Sequence, residues 1–215
     1  MASEQVIEII RQTCDEINAT TPLMLAIASA ETGGKFTTDG SNAKYAGVFQ
    51  LASGYGGCVG TDRLDVARAT KCTWLHIQQD KANFINTQGV WEDWFAYCIH
   101  QQGLAGFKEI YRNRNNKLSS LSSARQNEIK GNLPDSISKN IVYVSEYLDY
   151  WKTRINGLVE QYSEHTYTIE LSQSIIQNIN LPLDLANCII SNQSVLITLA
   201  VIIGGFCIVK LRNKK

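Results

Sequence analysis

Residues 23–30, LMLAIASA, are apolar on every side. A helix of that kind cannot lie on a surface and has to be enclosed by other elements. Thr21-Pro22 supplies a cap and a first-turn proline for it, and Gly33-Gly34 stops it. The chain is therefore expected to wrap helices around a central one. Val6, Ile9, Ile10, Cys14 and Ile17 repeat at helical spacing and predict an amphipathic first helix with an acidic outer face. Helical patterns return over 73–86, 91–102 and 104–111. Between them, residues 36–60 are rich in glycine, serine and asparagine, with short apolar pieces at 45–51 and 55–59. Loops and a small hairpin are expected there, lining a cleft. The fold class read from this is mainly α.

The rest of the chain divides into distinct stretches. Residues 115–132 (NNKLSSLSSARQNEIKGN) are polar and read as a linker or mobile surface loop, which suggests a domain boundary. After Pro134, the stripe Ile141, Val144, Tyr147, Leu148, Trp151, Ile155 and Leu158 predicts an amphipathic helix that packs on the preceding domain. A polar stalk follows over 166–193. The run that opens at Val195 and closes at Val209 has no charge and ends in four cations, Lys210, Arg212, Lys214 and Lys215. Its fifteen positions cover about 22 Å as a helix, and the stems of Lys210 and Arg212 extend its reach. It reads as one membrane helix over 194–211 with a basic tail at 212–215, the alternative being a buried core helix. The expected organisation is a domain at 1–115, a linker and packing helix at 116–165, then stalk, span and tail.

Charge narrows the function classes. Lysine plus arginine number 20 and aspartate plus glutamate 20, and the four terminal cations leave the body with 16 basic against 20 acidic residues. A body of that sign does not suit a phosphate backbone, so no nucleic-acid partner is expected. The start, MASEQVIEII, lacks a basic n-region and a long apolar core, so no secretory leader is expected. The six cysteines have no metal spacing, and neither a metal nor another cofactor is expected. Cys14 and Cys98 fall on apolar helix faces and Cys207 within the apolar run. Cys58 and Cys72 flank a loop and are close enough in sequence to bridge, although cytosolic synthesis would keep them reduced.

Glu31 is the one acid between Thr20 and Phe36 and ends the apolar helix. Apolar surroundings and the negative helix terminus both favour its protonated form, which a general acid needs. The alternative is a solvated glutamate beside Lys35.

Three separated segments carry a resemblance. AIASAETGGKF (26–36) resembles the Glu-Ser/Thr-Gly-Gly segment of soluble lytic transglycosylases, a branch of the lysozyme superfamily. GVFQL (47–51) resembles their Gly-Leu-Met/Phe-Gln-Ile/Leu motif. AYCIHQQGLAGF (96–107) is similar to the family's tyrosine-bearing helix motif and to the His-x-x-Gly form common in phage enzymes. The likeness spans about residues 20–110 and implies a lysozyme-like catalytic domain.

It also implies roles. Glu31 would protonate the glycosidic oxygen and then act as base, and Thr32 would stand near the reacting sugar. Gln50 would bind substrate or position the acid. His100 stands where many members place a tyrosine that touches the acid, so either His100 or Tyr97, one turn earlier, makes that contact; Gln101 replaces an asparagine. Among the aromatic residues of the region, Tyr45 and Tyr55 are the candidates for stacking on sugar, since Phe49, Trp91 and Trp94 suit a core. The implied reaction cleaves the β-1,4 bond between N-acetylmuramic acid and N-acetylglucosamine in peptidoglycan glycan strands, leaving a 1,6-anhydro end. One carboxyl group suffices for it, whereas a muramidase would need a second. Asp39, in the turn-like TTDGSN, is the nearest candidate. The expected setting is a phage virion or host inner membrane, with virion proteins as partners and a role in genome delivery or lysis. The rivals are a hydrolysing muramidase and a non-catalytic, membrane-anchored virion or wall-binding protein.

Overall fold

A computed structural model describes residues 1–38 and 44–179, with side chains as far as Ser163. Asp39, the second half of the expected stalk, the span 195–209 and the basic tail lie outside the described residues. Two compact units are distinguished, Met1–Tyr162 and Ser163–Lys215.

The chain is mainly helical. Helix α1 (Ser3–Ile17) turns Val6, Ile10 and Cys14 inward, and Asn18 ends it in the left-handed region. Helix α2 (Thr21–Thr32) begins on Pro22 and ends at Gly33. All six apolar residues from Leu23 to Ala28 are buried, as their character requires, and Ser29 is buried after them. An antiparallel hairpin follows, β1 (Tyr45–Ala46) and β2 (Leu51–Ala52), in which Tyr45 faces Ala52 and Ala46 faces Leu51.

Helix α3 (Val66–Gln88) starts earlier than its apolar pattern predicted. Asp65 caps it, its carboxylate accepting from the Arg68 amide at 2.7 Å, and the polar turn that follows is held by that cap. Cys72 on this helix is joined to Cys58 in a disulfide. Helix α4 (Phe95–Arg112) runs through two of the predicted segments, and they are distinct because Gly103 (φ 67°, ψ 159°) breaks the helical geometry between them. Phe84, Trp91, Trp94, Phe95, Phe107 and Tyr111 form one aromatic core between α3 and α4, mostly edge-to-face, in which both tryptophans pack on Phe95.

The stretch 115–132 is not a linker. It holds a short 3-10 turn at Leu118–Ser120 and helix α5 (Ser123–Gly131), capped by Ser122. Leu118, Leu121, Ile129 and Leu133 bury themselves in the same core as α1 to α4. Four apolar residues spread over the turn, the helix and its flanks were enough, because each gives about 1.5–3 kcal/mol when fully enclosed. After the single turn α6 (Asp135–Ser138), helix α7 (Val144–Ile179) opens on Glu146, whose carboxylate accepts from the Val142 and Tyr143 amides. Its stripe of Val144, Tyr147, Leu148, Trp151 and Ile155 is buried, and Trp151 meets the Tyr97 ring at 4.7 Å. The backbone of α7 remains helical through the first half of the segment expected to be a stalk.

Candidate active site

A cleft of about 650 Å³ opens beside the end of α2. Glu31, Lys44, Tyr45, Gln50, His100, Gln101, Gln102, Arg125, Glu128 and Asn132 line it. Four elements deliver these groups: the last turn of α2, the hairpin, the middle of α4 and the outer face of α5.

Glu31 reaches the cleft from a helix otherwise enclosed, so only 16% of its side chain is exposed. Burial pushes its carboxyl up from 4.5 to about 7. A hydrogen bond from the Tyr97 hydroxyl opposes that rise but is the smaller effect. The acid is therefore half protonated near neutral pH, and the tyrosine steadies the carboxylate left once the proton has gone.

His100 does a different job. Its Nε2 lies 2.8 Å from the Phe49 carbonyl, which can only accept, so Nε2 carries the proton. Nδ1 then accepts from the Tyr55 hydroxyl at 3.1 Å. Burial lowers its pKa from 6.5 to about 4. Although Nε2 is 3.8 Å from a Glu31 oxygen, the neutral ring already spends its one proton on Phe49, so the pair is a close approach and not an ion pair. Of the two candidates for the contact with the acid, Tyr97 makes it. His100 instead pins the hairpin turn next to Gln50.

That turn is tightly built. Gly47 (φ 78°) sits so close to Arg63 that a Cβ would fall 1.7 Å from its carbonyl oxygen. Gln50 adopts φ 47°, a region non-glycine residues rarely occupy. Its amide nitrogen donates to the Gly47 carbonyl at 2.8 Å and its backbone N–H to the same oxygen at 3.0 Å. Strain held at a cleft wall fixes where the glutamine side chain stands.

The remaining sequence candidates separate. Tyr45 is on the cleft rim and exposed, with Lys44 5.0 Å from its ring centre. Tyr55 is not on the cleft wall: its ring packs on His76 at 3.9 Å and its hydroxyl serves His100. His76 in turn meets Asp80 at 3.1 Å, so Tyr55 belongs to a buttress behind the histidine. Thr32 also turns away from a sugar-binding role. Its hydroxyl donates to Ala28 O at 2.8 Å and accepts from Phe36 N at 2.9 Å, closing the end of α2. Gln101 lines the cleft and donates to the Tyr97 hydroxyl at 2.9 Å.

The chain has no match among protein-family models, curated proteins or solved structures. Roles therefore follow from the cleft itself. Sequence reasoning missed Lys44, Gln102, Arg125, Glu128 and Asn132; Arg125 and Glu128 stand on α5 and Asn132 closes its C-terminal end. The signal was sparse: Ile129 is the one buried apolar residue of α5, with Leu118, Leu121 and Leu133 flanking the helix, so nothing in the pattern marked the face that carries Arg125 and Glu128. Arg125 bonds Glu109 and Gln102 at 3.2 and 3.1 Å and pairs with Glu128. Among the described residues no three His, Cys, Asp or Glu side chains gather as a metal site.

Proposed function

We propose that the protein is a peptidoglycan lytic transglycosylase with a lysozyme-like catalytic domain, and that Glu31 is its single acid and base. The observation that carries this is a buried carboxyl at the floor of a polar cleft, raised to about 7 and held by a tyrosine hydroxyl. In the reading, protonated Glu31 gives its proton to the bridging oxygen as the C1–O bond of the muramyl residue breaks. That residue's own 6-hydroxyl then attacks C1 and returns a proton to the Glu31 carboxylate, so that no water is consumed and a 1,6-anhydro ring closes. A pKa near the working pH suits a group that must both give and take a proton. Gln50 would face the sugar from the hairpin turn, with Tyr45 stacking at the rim.

The hydrolysing reading is favoured by one feature, Glu128 on the same cleft wall. Its carboxylate is engaged by Arg125, which does not leave it disposed as a base for water. The test is mass spectrometry of glycan fragments after digestion of peptidoglycan by the detergent-solubilised full chain. Anhydro ends are expected. Reducing ends that vanish with Glu128→Gln would establish a muramidase, and no cleavage at all would leave a wall-binding protein.

Two proposals concern the setting. The Cys58–Cys72 bridge suits a domain working outside a reducing cytoplasm, where peptidoglycan is found. The sequence run 195–209 with its basic tail would anchor the chain in a virion or host inner membrane, for use in genome delivery or lysis beside virion proteins. Among the described residues no helix is long and apolar enough to cross a membrane. The full chain is expected to sediment with membranes and to resist high salt, while a chain ending at Asn192 stays in solution; release of the full chain by salt would refute the anchor.

A further inference from the structure

Arg125 and Glu31 are joined by an unbroken file of hydrogen bonds that passes through two helices beyond residue 115. Arg125 Nη1 donates to Gln102 Oε1 at 3.1 Å. Gln102 Nε2 donates to the Tyr147 hydroxyl at 3.2 Å. That hydroxyl donates to Gln101 Oε1 at 3.3 Å, with the Cys98 sulfur as a weaker neighbour. Gln101 Nε2 donates to the Tyr97 hydroxyl at 2.9 Å, and Tyr97 donates to the Glu31 carboxylate.

The direction of every bond follows from the first. Arginine has donors and no acceptor, so Gln102 must turn its oxygen to Arg125 and its amide nitrogen to Tyr147. Tyr147, having accepted, has a single proton to give, and the Gln101 oxygen is a stronger acceptor for it than the Cys98 sulfur. Gln101 is then left with its nitrogen toward Tyr97, whose single proton can go only to the carboxylate. Tyr147 is fully buried, so its hydroxyl must find such partners or be costly to enclose. Bonds aligned this way polarise one another in a low-dielectric interior.

We propose that Arg125, Gln102, Tyr147 and Gln101 are positioning residues that act through Tyr97 to aim and strengthen its hydrogen bond to Glu31, making α5 and α7 working parts of the site. The proposal rests on the reading of Glu31 as the acid. The file favours the ionised carboxylate, the form Glu31 takes after delivering its proton, and so opposes the rise caused by burial. Outside the file, the titratable groups around Glu31 are neutral His100 of α4, Tyr55 behind that histidine, and Lys44 and Glu128 of the cleft lining.

The test uses the full chain with ¹³C-labelled glutamate, following the Glu31 carboxyl by NMR titration beside peptidoglycan kinetics. Tyr147→Phe keeps the ring and its packing but removes both bonds. It should move the Glu31 titration upward by on the order of half a unit. The fall in kcat should be about threefold to tenfold at unchanged KM, with the alkaline limb of the rate profile moving up by the same amount. Gln102→Met, which adds no charge, should move the titration the same way, and the double variant should go no further than Tyr147→Phe alone because both cut one file. Two folded variants whose Glu31 titration stays at the parent value, or a double variant showing the sum of the two shifts, would overturn the proposal. A titration that moves as stated in a protein that forms no anhydro ends would refute the functional reading and leave the file intact.

Discussion

Glu31 is the acid of the proposed reaction and carries a cost in stability. Glu31→Gln keeps the side chain's shape but has no proton to deliver, so cleavage should drop at least about 10²-fold, read as released fragments. The same change should reveal the cost. Because the folded-state pKa is raised from 4.5 to about 7, the stability Glu31 contributes is complete below pH 4.5 and is lost as pH rises through about 7, a swing of about 3 kcal/mol. The melting temperature of the Gln variant relative to the parent should therefore climb between pH 5 and pH 8. His100, whose pKa is lowered from 6.5 to about 4, works in the opposite sense and loses its contribution as pH falls toward 4. It is present in both proteins and cancels in the difference. An offset that is the same at both pH values would mean that Glu31 is not buried as described.

At the level of elements, two backbone positions aim the side chains. Gly47 lets the hairpin turn lie against Arg63. Gly47→Ala would drive a Cβ into that carbonyl and displace Gln50, and a misplacement near 1 Å can cost about 10²-fold in rate. The expected result is a folded protein with greatly reduced kcat; an active Gly47→Ala would show that Gln50 has no part in the reaction. Gly103 lets α4 bend directly after Gln101 and Gln102. Its backbone region is essentially closed to other residues, so Gly103→Ala should cost about 1–3 kcal/mol, which a thermal melt would read as roughly 2–4 °C per kcal/mol. Parent-like melting would mean that the bend is not fixed.

Across the whole molecule, the residues after 115 belong to the fold rather than decorate it. A chain cut at Asn115 would lose Ile129, Val144, Tyr147, Trp151 and Ile155, all buried in the common core. At about 1.5–3 kcal/mol each, their loss is as large as the whole 5–15 kcal/mol that holds an ordinary domain together. That fragment should show no near-UV circular dichroism, whereas a chain ending at Tyr162 should unfold cooperatively. Reduction of Cys58–Cys72 should lower stability by about 3 kcal/mol in the loop-closure model, seen as an earlier denaturant midpoint; an unmoved midpoint would mean the bridge contributes nothing.

What the sequence determined by itself was whatever depends on local pattern. The enclosed helix α2, the cleft-side hairpin, the stripe on α7 and the elevated acid Glu31 follow from apolar periodicity, turn residues and an isolated charge at the end of an apolar run. Four matters were decided only by tertiary structure. The polar stretch 115–132 became part of the core because Leu118, Leu121 and Ile129, with Leu133 just after it, found a surface to cover. Tyr97 rather than His100 touched the acid because the histidine's proton was claimed by Phe49, a residue 51 positions away. Tyr55 and Thr32 were drawn into support, since a buried hydroxyl must satisfy its hydrogen bonds wherever partners lie. Arg125 entered the cleft because α5 packs beside α4. Periodicity reports which face of an element is buried. It carries no information on which distant group will meet that face, and a hydrogen-bonded site is made of such meetings.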